Sequence, residues 1–234
     1  MSASADPAHP RRGAFRWVIR ETLGVLLVAV ILMVSAGRWG WGAGWGLTAI
    51  YAVWVAGTAV LIMPVHPELL AERATRRPVR AWDRAILGLV GLLTTGAYVL
   101  AGLDARNGWG PDMPVALQWA GGAAALAGYL LVALSMRANP FFSSVARIQT
   151  ERGQSVATDG PYRVVRHPGY VGAATFGVAA PVVLGSWVAL PLGFLTAALL
   201  VIRTALEDRM LLEELTGYAA YATRVRWRLV PGFW

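Results

Sequence analysis

The sequence predicts an all-α polytopic membrane protein of about six apolar helical segments, and two observations support this prediction. Of the 234 residues, 56% are hydrophobic and only 15% are charged, whereas about 25% of the residues in a typical soluble domain are charged. The apolar residues are also gathered in long runs, and about 20 apolar residues in a helix are enough to cross a bilayer. We therefore expect one integral membrane domain over residues 1–234.

The apolar runs alternate with polar connections along the chain. They cover residues 21–36, 45–63, 86–103, 115–136, 169–184 and 187–206. The first and fifth runs are short, and only Gly185 and Ser186 separate the last two. We expect the last two runs to form a helical hairpin, and the sequence leaves open whether residues 169–184 cross the membrane.

The distribution of arginine predicts the orientation, since all 21 basic residues of the chain are arginines. In chain order they are Arg11, Arg12, Arg16 and Arg20 before the first run, Arg38 after it, Arg73, Arg76, Arg77, Arg80 and Arg84 in the next connection, Arg106 in the third, Arg137, Arg147, Arg152, Arg163 and Arg166 in the fourth, and Arg203, Arg209, Arg224, Arg226 and Arg228 from the end of the sixth run onward. Rich and poor connections alternate, which is the positive-inside pattern of an even number of crossings with both termini cytoplasmic. We expect a protein of the bacterial inner membrane.

The net charge of +8 indicates a negatively charged binding partner. Its arginines lie between apolar runs, where anionic lipid headgroups are the expected partner and nucleic acid is not. The first run could alternatively be a secretory signal ending at Val34-Ser35-Ala36, but five further apolar runs favour an uncleaved span.

Two connections are long enough to carry function, residues 64–84 and 137–168. Within the first, residues 68–77 mix leucines and charges at helical spacing, which predicts an interfacial amphipathic helix. After the sixth run, residues 207–216 keep helical spacing but become polar, so we expect the helix to leave the membrane there and to end at Gly217.

Several familiar chemistries are disfavoured. The stretch 44–49 fits the dinucleotide pattern GxGxxA, but no strand precedes it. The chain has no cysteine, and its histidines, His9, His66 and His167, have no metal-binding spacing. We therefore expect no catalytic metal, no thiolate nucleophile and no serine triad.

One dense polar stretch stands at the edge of an apolar run, GPYRVVRHPGYVG at residues 160–172. Polar backbone at membrane depth persists only where it is buried in protein or lines a wet cavity. By itself the stretch favours a plainer interpretation, in which Arg163 and Arg166 anchor the protein to headgroups and His167 caps a helix.

A second group of polar residues makes a functional site better supported than this plainer interpretation. Arg203 and Glu207 are four residues apart, and therefore lie on one helix face, with Asp208 next to them. A salt bridge between Arg203 and Glu207 that merely ends the helix is as well supported as a site. If the last two runs form a hairpin, however, Arg166 and His167 come close to all three residues, and one cavity could hold both constellations.

At these residues the chain resembles the isoprenylcysteine carboxyl methyltransferase family of integral membrane methyltransferases, in its bacterial branch. The similar stretches are residues 67–73 (PELLAER) followed by Trp82-Asp83, 139–153 (NPFFSSVARIQTERG), 160–172, 203–211 and 217–231 (GYAAYATRVRWRLVP). They occur in the order expected for the family, which is more specific than any single motif.

The resemblance implies S-adenosylmethionine as cofactor, a cytoplasmic pocket roofed by the C-terminal segment, and a lipophilic isoprenoid or lipid-like substrate that enters from the bilayer. Residues 137–234 are then the catalytic, cofactor-binding region, and residues 1–136 provide the lipid-side entrance. The implied cofactor-binding residues are Tyr162, His167, Tyr170, Arg203, Glu207 and Asp208, and the implied catalytic residues are Arg163, Arg166 and His167. The family's acidic pair is usually Glu-Glu, whereas this chain has Glu207-Asp208, which puts the role of the second carboxylate in question.

Cofactor chemistry agrees with these roles. A carboxylate such as Glu207 accepts hydrogen bonds from an ammonium or a ribose, and Tyr162 or Tyr170 offers a ring face to the adenine or the sulfonium. If the methyl acceptor is a carboxylate, the most favoured case, it needs no general base, and Arg163 or Arg166 would position it. A hydroxyl or an amine would need a base, and His167 is then the first candidate.

Two other functions stay open. A membrane reductase of the sterol or steroid type, using NADPH, has a similar C-terminal layout, but such sequences tend to carry a cysteine after the acidic pair where this chain has Leu211. A non-catalytic membrane binding or transport protein would explain a polar cavity but not the order of the motifs. The sequence predicts no oligomeric state.

Overall fold

A computed structural model describes residues 8–75 and 78–234, and these ranges contain helices and irregular segments without any strand. The all-α prediction is therefore confirmed for the described part of the chain. Arg76 and Arg77, the end of the predicted amphipathic stretch, lie outside the described residues, as do residues 1–7.

Eight α-helices follow one another within the described ranges. They are α1 (Ala8–Ala36), α2 (Gly42–Ile62), α3 (Pro67–Ala74), α4 (Ala81–Asn107), α5 (Val115–Ala138), α6 (Pro168–Val183), α7 (Leu190–Glu214) and α8 (Tyr218–Arg224). Five of them, α1, α2, α4, α5 and α7, are long and apolar enough to cross a membrane. The polytopic membrane architecture predicted from the apolar runs is confirmed.

The fifth apolar run is the exception in length. Helix α6 has 16 residues, which at about 1.5 Å per residue falls short of the roughly 30 Å hydrocarbon core of a bilayer. It lies against α5 on one side and α7 on the other, so its backbone is held within the bundle. The predicted hairpin of α6 and α7 is present, with a turn at Gly185, whose φ of +74° suits glycine.

The start of α1 differs from the sequence prediction for a physical reason, whereas the extension of α7 agrees with it. Helix α1 begins well before residue 21, and its apolar span starts at Arg12, because arginine is a good helix former that also suits a membrane interface. Helix α7 continues past its apolar run to Glu214, as expected, and Gly217 with a φ of +86° begins the turn into α8.

Close packing of α5 on α6 depends on glycine. A methyl group placed on Gly128 would lie 2.6 Å from the carbonyl oxygen of Gly172, and one placed on Gly172 would collide with the carbonyl oxygen of Gly128. Gly177 and Gly193 make a similar approach between α6 and α7. Small residues let helix backbones come together in this way.

The two ends of the bundle are distinguished by their polar contacts. At one end, Ser186 in the α6–α7 turn donates a hydrogen bond of 2.6 Å to Asp104, near the last turn of α4. At the other end lie the first turns of α4 and α6, the last turns of α7, and α8. The polar residues singled out in the sequence are at this second end, which positions the site.

Replacing Gly172 with alanine is expected to destabilise the protein by about 1–3 kcal/mol, because the added methyl group has no space against α5. Gly122→Ala in α5 is the matched control, since a methyl group there meets no atom within 4 Å and should gain about 0.5–1 kcal/mol of helix stability. Thermal unfolding in detergent, followed by circular dichroism, measures both. Equal Tm values for the two variants would contradict this account of the α5–α6 contact.

Candidate functional site

A short irregular segment leads into α6 and brings the RHP residues to the site. Gly160 to Arg163 form a single 3-10 turn, and Pro168 occupies the first position of α6, where a missing N–H costs nothing. Tyr162 is buried in this turn, and its carbonyl oxygen accepts a hydrogen bond of 2.7 Å from the Tyr221 hydroxyl of α8. The turn is therefore fixed from both sides.

Asp208 on α7 is the centre of a buried polar network. Arg166 donates to both of its carboxylate oxygens at 2.8 Å, in the bidentate geometry that arginine forms with carboxylates. Arg228 donates to Oδ2 at 2.8 Å, and the Tyr218 hydroxyl donates to Oδ1 at 2.8 Å. Asp208 itself is 0% exposed, so its charge is balanced by protein groups rather than by water.

His167 belongs to the same network. Its Nε2 lies 3.0 Å from Oδ1 of Asp208 and 3.2 Å from the Tyr218 hydroxyl. A carboxylate only accepts hydrogen bonds, so Nε2 carries the proton in the contact with Asp208, and Nδ1 is the accepting nitrogen of the neutral ring. Asp208 thereby fixes both the orientation and the tautomer of His167.

The last stretch of the chain is bound directly to the RHP motif. The backbone N–H groups of Arg166 and His167 donate to the carbonyl oxygens of Trp227 and Arg228, at 2.9 and 3.0 Å. The Arg166 side chain also donates to the carbonyl oxygens of Val225 and Arg226, at 3.0 and 2.8 Å. Residues 225–228 therefore form a cover over the start of α6.

Arg203 pairs with a residue far away in the sequence. Its Nε donates to Oδ1 of Asp83, in the first turn of α4, at 2.7 Å, and its Nη2 donates to the Ser144 carbonyl oxygen at 3.1 Å. The guanidinium carbon also lies 5.3 Å from the centroid of the Tyr170 ring. No Arg203–Glu207 salt bridge is found in the described structure, so the helix-ending interpretation of this pair does not hold.

Glu207 has a different partner. The hydroxyl group of Tyr170 donates a short hydrogen bond to its Oε2, and the described residues place no arginine or histidine within salt-bridge distance of Glu207. The carboxylate is partly buried. Glu207 is thus a charged group oriented by α6 and still able to accept further hydrogen bonds.

These side chains surround a cavity of about 490 Å³ that runs between α2, α4, α5, α6 and α7. Its polar end is lined by Asn139, Tyr162, Arg166, His167, Arg203, Glu207 and Tyr218, and its apolar part by residues such as Leu87, Val90, Val132, Phe176 and Leu200. The volume lies within the range of pockets for small molecules, about 300–1,000 Å³. The cavity is suited to a ligand with one polar and one apolar part.

Most of the predicted site residues meet in this cavity. Six of them line it, namely Tyr162, Arg166, His167, Tyr170, Arg203 and Glu207. Asp208 is behind this lining and acts on the cavity through Arg166 and His167. Arg163 is also outside the lining, where its side chain is 73% exposed and pairs with Asp159 at 2.8 Å.

Sequence reasoning missed three participants, Asp83, Tyr218 and Arg228. All three lie in or beside stretches that resemble the family. No rule of residue spacing, however, connects Asp83 to Arg203 across the chain. An acidic residue in the first turn of a helix is ordinarily explained by the helix dipole. The one available signal was Arg203 itself, because a buried arginine requires an acidic partner somewhere in the chain.

Burial and charge keep the phenols of the site protonated. Burial, and then the negative charge of Asp208, raise the pKa of Tyr218 well above its ordinary value. Burial raises the pKa of Tyr221 to about 12. Both hydroxyls are therefore hydrogen-bond donors at neutral pH, which the contacts with Asp208 and with the Tyr162 carbonyl require.

The fold and the site together define a helical integral membrane protein with a cavity that is polar at one end of the bundle. Residues 122–213, which contain all of α6 and nearly all of α7, match the model of the Isoprenylcysteine carboxyl methyltransferase (ICMT) family. The resemblance to this family of methyltransferases, carried by the motifs, is confirmed.

The fold is also similar to a solved structure, the eukaryotic intramembrane Ras methyltransferase ICMT determined without a monobody. The TM-score is 0.51, with 16% sequence identity, and the alignment covers 86% of this chain and 70% of that one. At this identity the similarity concerns the fold. No curated protein matches the sequence.

Replacing Asp208 with asparagine is expected to destabilise the protein by about 3–5 kcal/mol, because Arg166 would keep its buried charge without a counter-charge. The matched control is Asp159→Asn, which removes an exposed pair with Arg163 and should cost less than about 1 kcal/mol. Denaturation in detergent, monitored by circular dichroism, compares the two. If Asp208→Asn were no less stable than Asp159→Asn, the central structural role of Asp208 would be refuted.

Proposed function

We propose that the protein is an S-adenosylmethionine-dependent methyltransferase that acts on a lipophilic, isoprenoid or lipid-like substrate at the membrane, by O-methylation of a carboxylate. The observation that carries this proposal is the charge at the polar end of the cavity. Glu207 is the one acidic side chain in the described lining, and no arginine or histidine of the described residues lies within salt-bridge distance of it. A ligand that brings a positive charge would complement it.

The residues of the polar end fit S-adenosylmethionine by their chemistry. Glu207 would accept hydrogen bonds from its ammonium or ribose hydroxyls, and the ring faces of Tyr162 and Tyr170 would pack against adenine or sulfonium. When bound, this cofactor supplies a methyl group on a positively charged sulfur. The segment 225–228, held over the start of α6 by Arg166 and His167, would cover the site and exclude water.

The chain's own residues would act by positioning. Methyl transfer is an in-line displacement, so the protein contributes mainly alignment of the two reactants. Tyr170 orients Glu207, Asp208 holds Arg166 and His167, and Asp83 holds Arg203 beside the Tyr170 ring. Every charged side chain of this wall is thereby held in one direction, as a preorganised site requires.

A carboxylate is the acceptor that best suits this wall. His167 is the histidine of the described cavity lining, and its Nε2 is engaged by Asp208 and Tyr218, which leaves Nδ1 as its one nitrogen that could act as a base. A hydroxyl or amine acceptor would call for a general base, whereas an ionised carboxylate attacks without one. The apolar part of the cavity, among α2, α4, α5 and α7, would hold the lipophilic portion of the substrate.

The location of the protein follows from the same proposal. The chain is an integral membrane protein, and we place the site end of the bundle on the cytoplasmic side of a bacterial inner membrane, since the arginine-rich connections lie there. A cytoplasmic site would have direct access to a soluble nucleoside cofactor, while the substrate enters from the bilayer.

Calorimetry on the detergent-purified full chain tests the proposal with S-adenosylmethionine, S-adenosylhomocysteine and NADPH. We expect binding of both adenosyl ligands and none of NADPH. Glu207→Gln should weaken adenosyl binding about 10- to 100-fold, since hydrogen bonds to a charged group contribute about 1.5–3 kcal/mol. Tyr170→Phe should weaken it less, because Glu207 keeps its charge but loses its orientation.

Arg163→Ala is the matched control, because it removes a charge near the site that is exposed and outside the cavity lining. Its affinity should stay within about twofold of the unmodified chain. Absence of adenosyl-ligand binding, or undiminished binding by a folded Glu207→Gln variant, would refute the proposed function. Binding of NADPH instead would favour the reductase.

A further inference from the structure

The deep part of the cavity contains polar groups that the proposed reaction does not use, the hydroxyls of three tyrosines. Tyr51 on α2, Tyr98 on α4 and Tyr129 on α5 all line the cavity. Each is at least nine residues from the nearer end of its helix, which is about 14 Å at 1.5 Å per residue. Bulk water does not reach this depth of a bilayer, so the hydrogen bonds of these phenols have to come from the protein or from a ligand.

Ring contacts hold this tyrosine cluster in place. The Tyr129 ring stacks with Phe176 of α6, with centroids 4.3 Å apart, and with Trp54 of α2, with centroids 4.7 Å apart. The Tyr51 ring meets Phe176 edge to face, at 5.1 Å. Four helices therefore fix the rings, and the hydroxyls are a preorganised part of the cavity wall.

The hydrogens of the cluster outnumber the acceptors that it offers. The hydroxyls of Tyr51 and Tyr98 lie 2.6 Å apart, so one donates to the other. Two phenols bring two hydrogens, and this bond uses one of them. The hydroxyl of Tyr129 also interacts with that of Tyr51, but it brings a third hydrogen, and no hydrogen bond joins it to Tyr98 in the described structure.

One donor of the cluster is therefore left over. Within the described chain, no carbonyl or carboxylate oxygen accepts a hydrogen bond from the three hydroxyls. A hydrocarbon ligand would cover this donor and exclude water from it, which is costly for a buried polar group. A ligand with an oxygen at this point would accept the hydrogen and remove that cost. The cluster thus favours an oxygenated ligand over a plain hydrocarbon of the same shape.

Helix α6 gives the distance between the cluster and the polar end of the cavity. One face of this helix lines the cavity at helical spacing, through Gly169, Tyr170, Ala173, Phe176, Gly177 and Ala180. The cavity therefore follows α6 for about 16 Å. Phe176, which contacts the cluster, comes six residues after Tyr170, which contacts Glu207. The cluster consequently lies about 9 Å deeper than the polar end.

We propose that the tyrosine cluster is a second recognition site for the substrate, in which the spare hydrogen of the Tyr51–Tyr98 pair is donated to an oxygen on the lipophilic tail. The inference rests on the proposed function for the end of the substrate that reacts, and it adds an oxygenated tail, which that function does not require. A ketone, ether or epoxide oxygen has the acceptor chemistry needed.

The depth of the cluster sets the position of this oxygen. An extended carbon chain advances about 1.3 Å per bond, given C–C bonds of about 1.5 Å. A distance of about 9 Å then corresponds to about seven bonds between the reacting carboxyl carbon and the carbon that carries the oxygen. The site would select a lipid by the place of one oxygen along its tail.

Binding of three acids of equal length to the detergent-purified full chain tests the inference. The probes are dodecanoic acid, 8-oxododecanoic acid and 4-oxododecanoic acid, which share one head group. We expect the 8-oxo acid to bind about fivefold or more tightly than the other two, because its ketone alone lies at the depth of the cluster and accepts the buried donor. This comparison needs no variant of the protein.

Replacing both phenols of the pair, Tyr51→Phe with Tyr98→Phe, keeps the rings and removes the hydroxyls. The preference for the 8-oxo acid should fall to within about twofold, and the affinity for dodecanoic acid should stay equal or rise, because no donor is left to cover. Thr48→Val is the matched control. It removes a hydroxyl one turn from Tyr51 that lies outside the cavity lining and donates to the Gly44 carbonyl oxygen of its own helix. Its preference should equal that of the unmodified chain.

A structural role of the pair predicts a different result. If the hydroxyls only join α2 to α4, the double variant should have a lower Tm and bind all three acids with the same loss of affinity, which would overturn the inference. Equal affinity of the unmodified chain for the 8-oxo acid and dodecanoic acid would also overturn it, as would tightest binding of the 4-oxo acid.

Failure of this inference and failure of the proposed function give different results. S-adenosylhomocysteine is measured on the same samples, and its affinity for the double variant should stay within about twofold of the unmodified chain. If no adenosyl ligand bound while the preference for the 8-oxo acid still depended on Tyr51 and Tyr98, the proposed function would fail and the recognition site would stand. If adenosyl ligands bound and the preference were absent, the recognition site would fail alone.

Discussion

The buried charge of Asp208 is the constraint on which the site depends. A carboxylate with 0% exposure at the end of a membrane-embedded bundle is tolerable only if protein groups replace its water. Arg166, His167, Tyr218 and Arg228 do so, and they come from three different parts of the chain after α5. One acidic residue thus joins the start of α6, the end of α7, α8 and the C-terminal segment, and it fixes the directions in which Arg166 and His167 face the cavity.

The same principle is repeated around the cavity. Asp83 joins α4 to α7 through Arg203, and it also accepts a hydrogen bond of 2.7 Å from the backbone N–H of Ala146 in the loop after α5. Glu72 joins α3 to the same loop through Arg147. Each acidic residue ties a loop to a helix end, so the walls of the cavity are held by ion pairs that are themselves mostly buried. The shape of the polar end is therefore a consequence of charge compensation.

The sequence predicted the parts of this arrangement that depend on neighbours along the chain. Apolar runs predicted the helices, the short link at Gly185 predicted the hairpin, and helical spacing placed Arg203, Glu207 and Asp208 close together. The hairpin then brought Arg166 and His167 to them, as expected. Partners across long separations were not accessible, because Asp83 lies 120 residues from Arg203 and no periodicity connects them. The local alternative, a salt bridge between Arg203 and Glu207, was the natural expectation from spacing, and it failed because Asp83 binds Arg203 and Tyr170 binds Glu207.

A charged side chain that lacks an ion pair is as informative about function as those that are paired. Among the described residues, no arginine or histidine lies within salt-bridge distance of Glu207, and much of the cavity lining consists of aromatic and aliphatic side chains. In the proposed reaction a cationic methyl donor meets an anionic acceptor, and both charges vanish as the methyl group moves. Charge separation is expensive where the effective dielectric constant is low, so a poorly solvated cavity favours progress towards the neutral products. A site at the edge of the bilayer is then suited to this chemistry, since the surroundings that admit a lipophilic acid also favour its neutralisation.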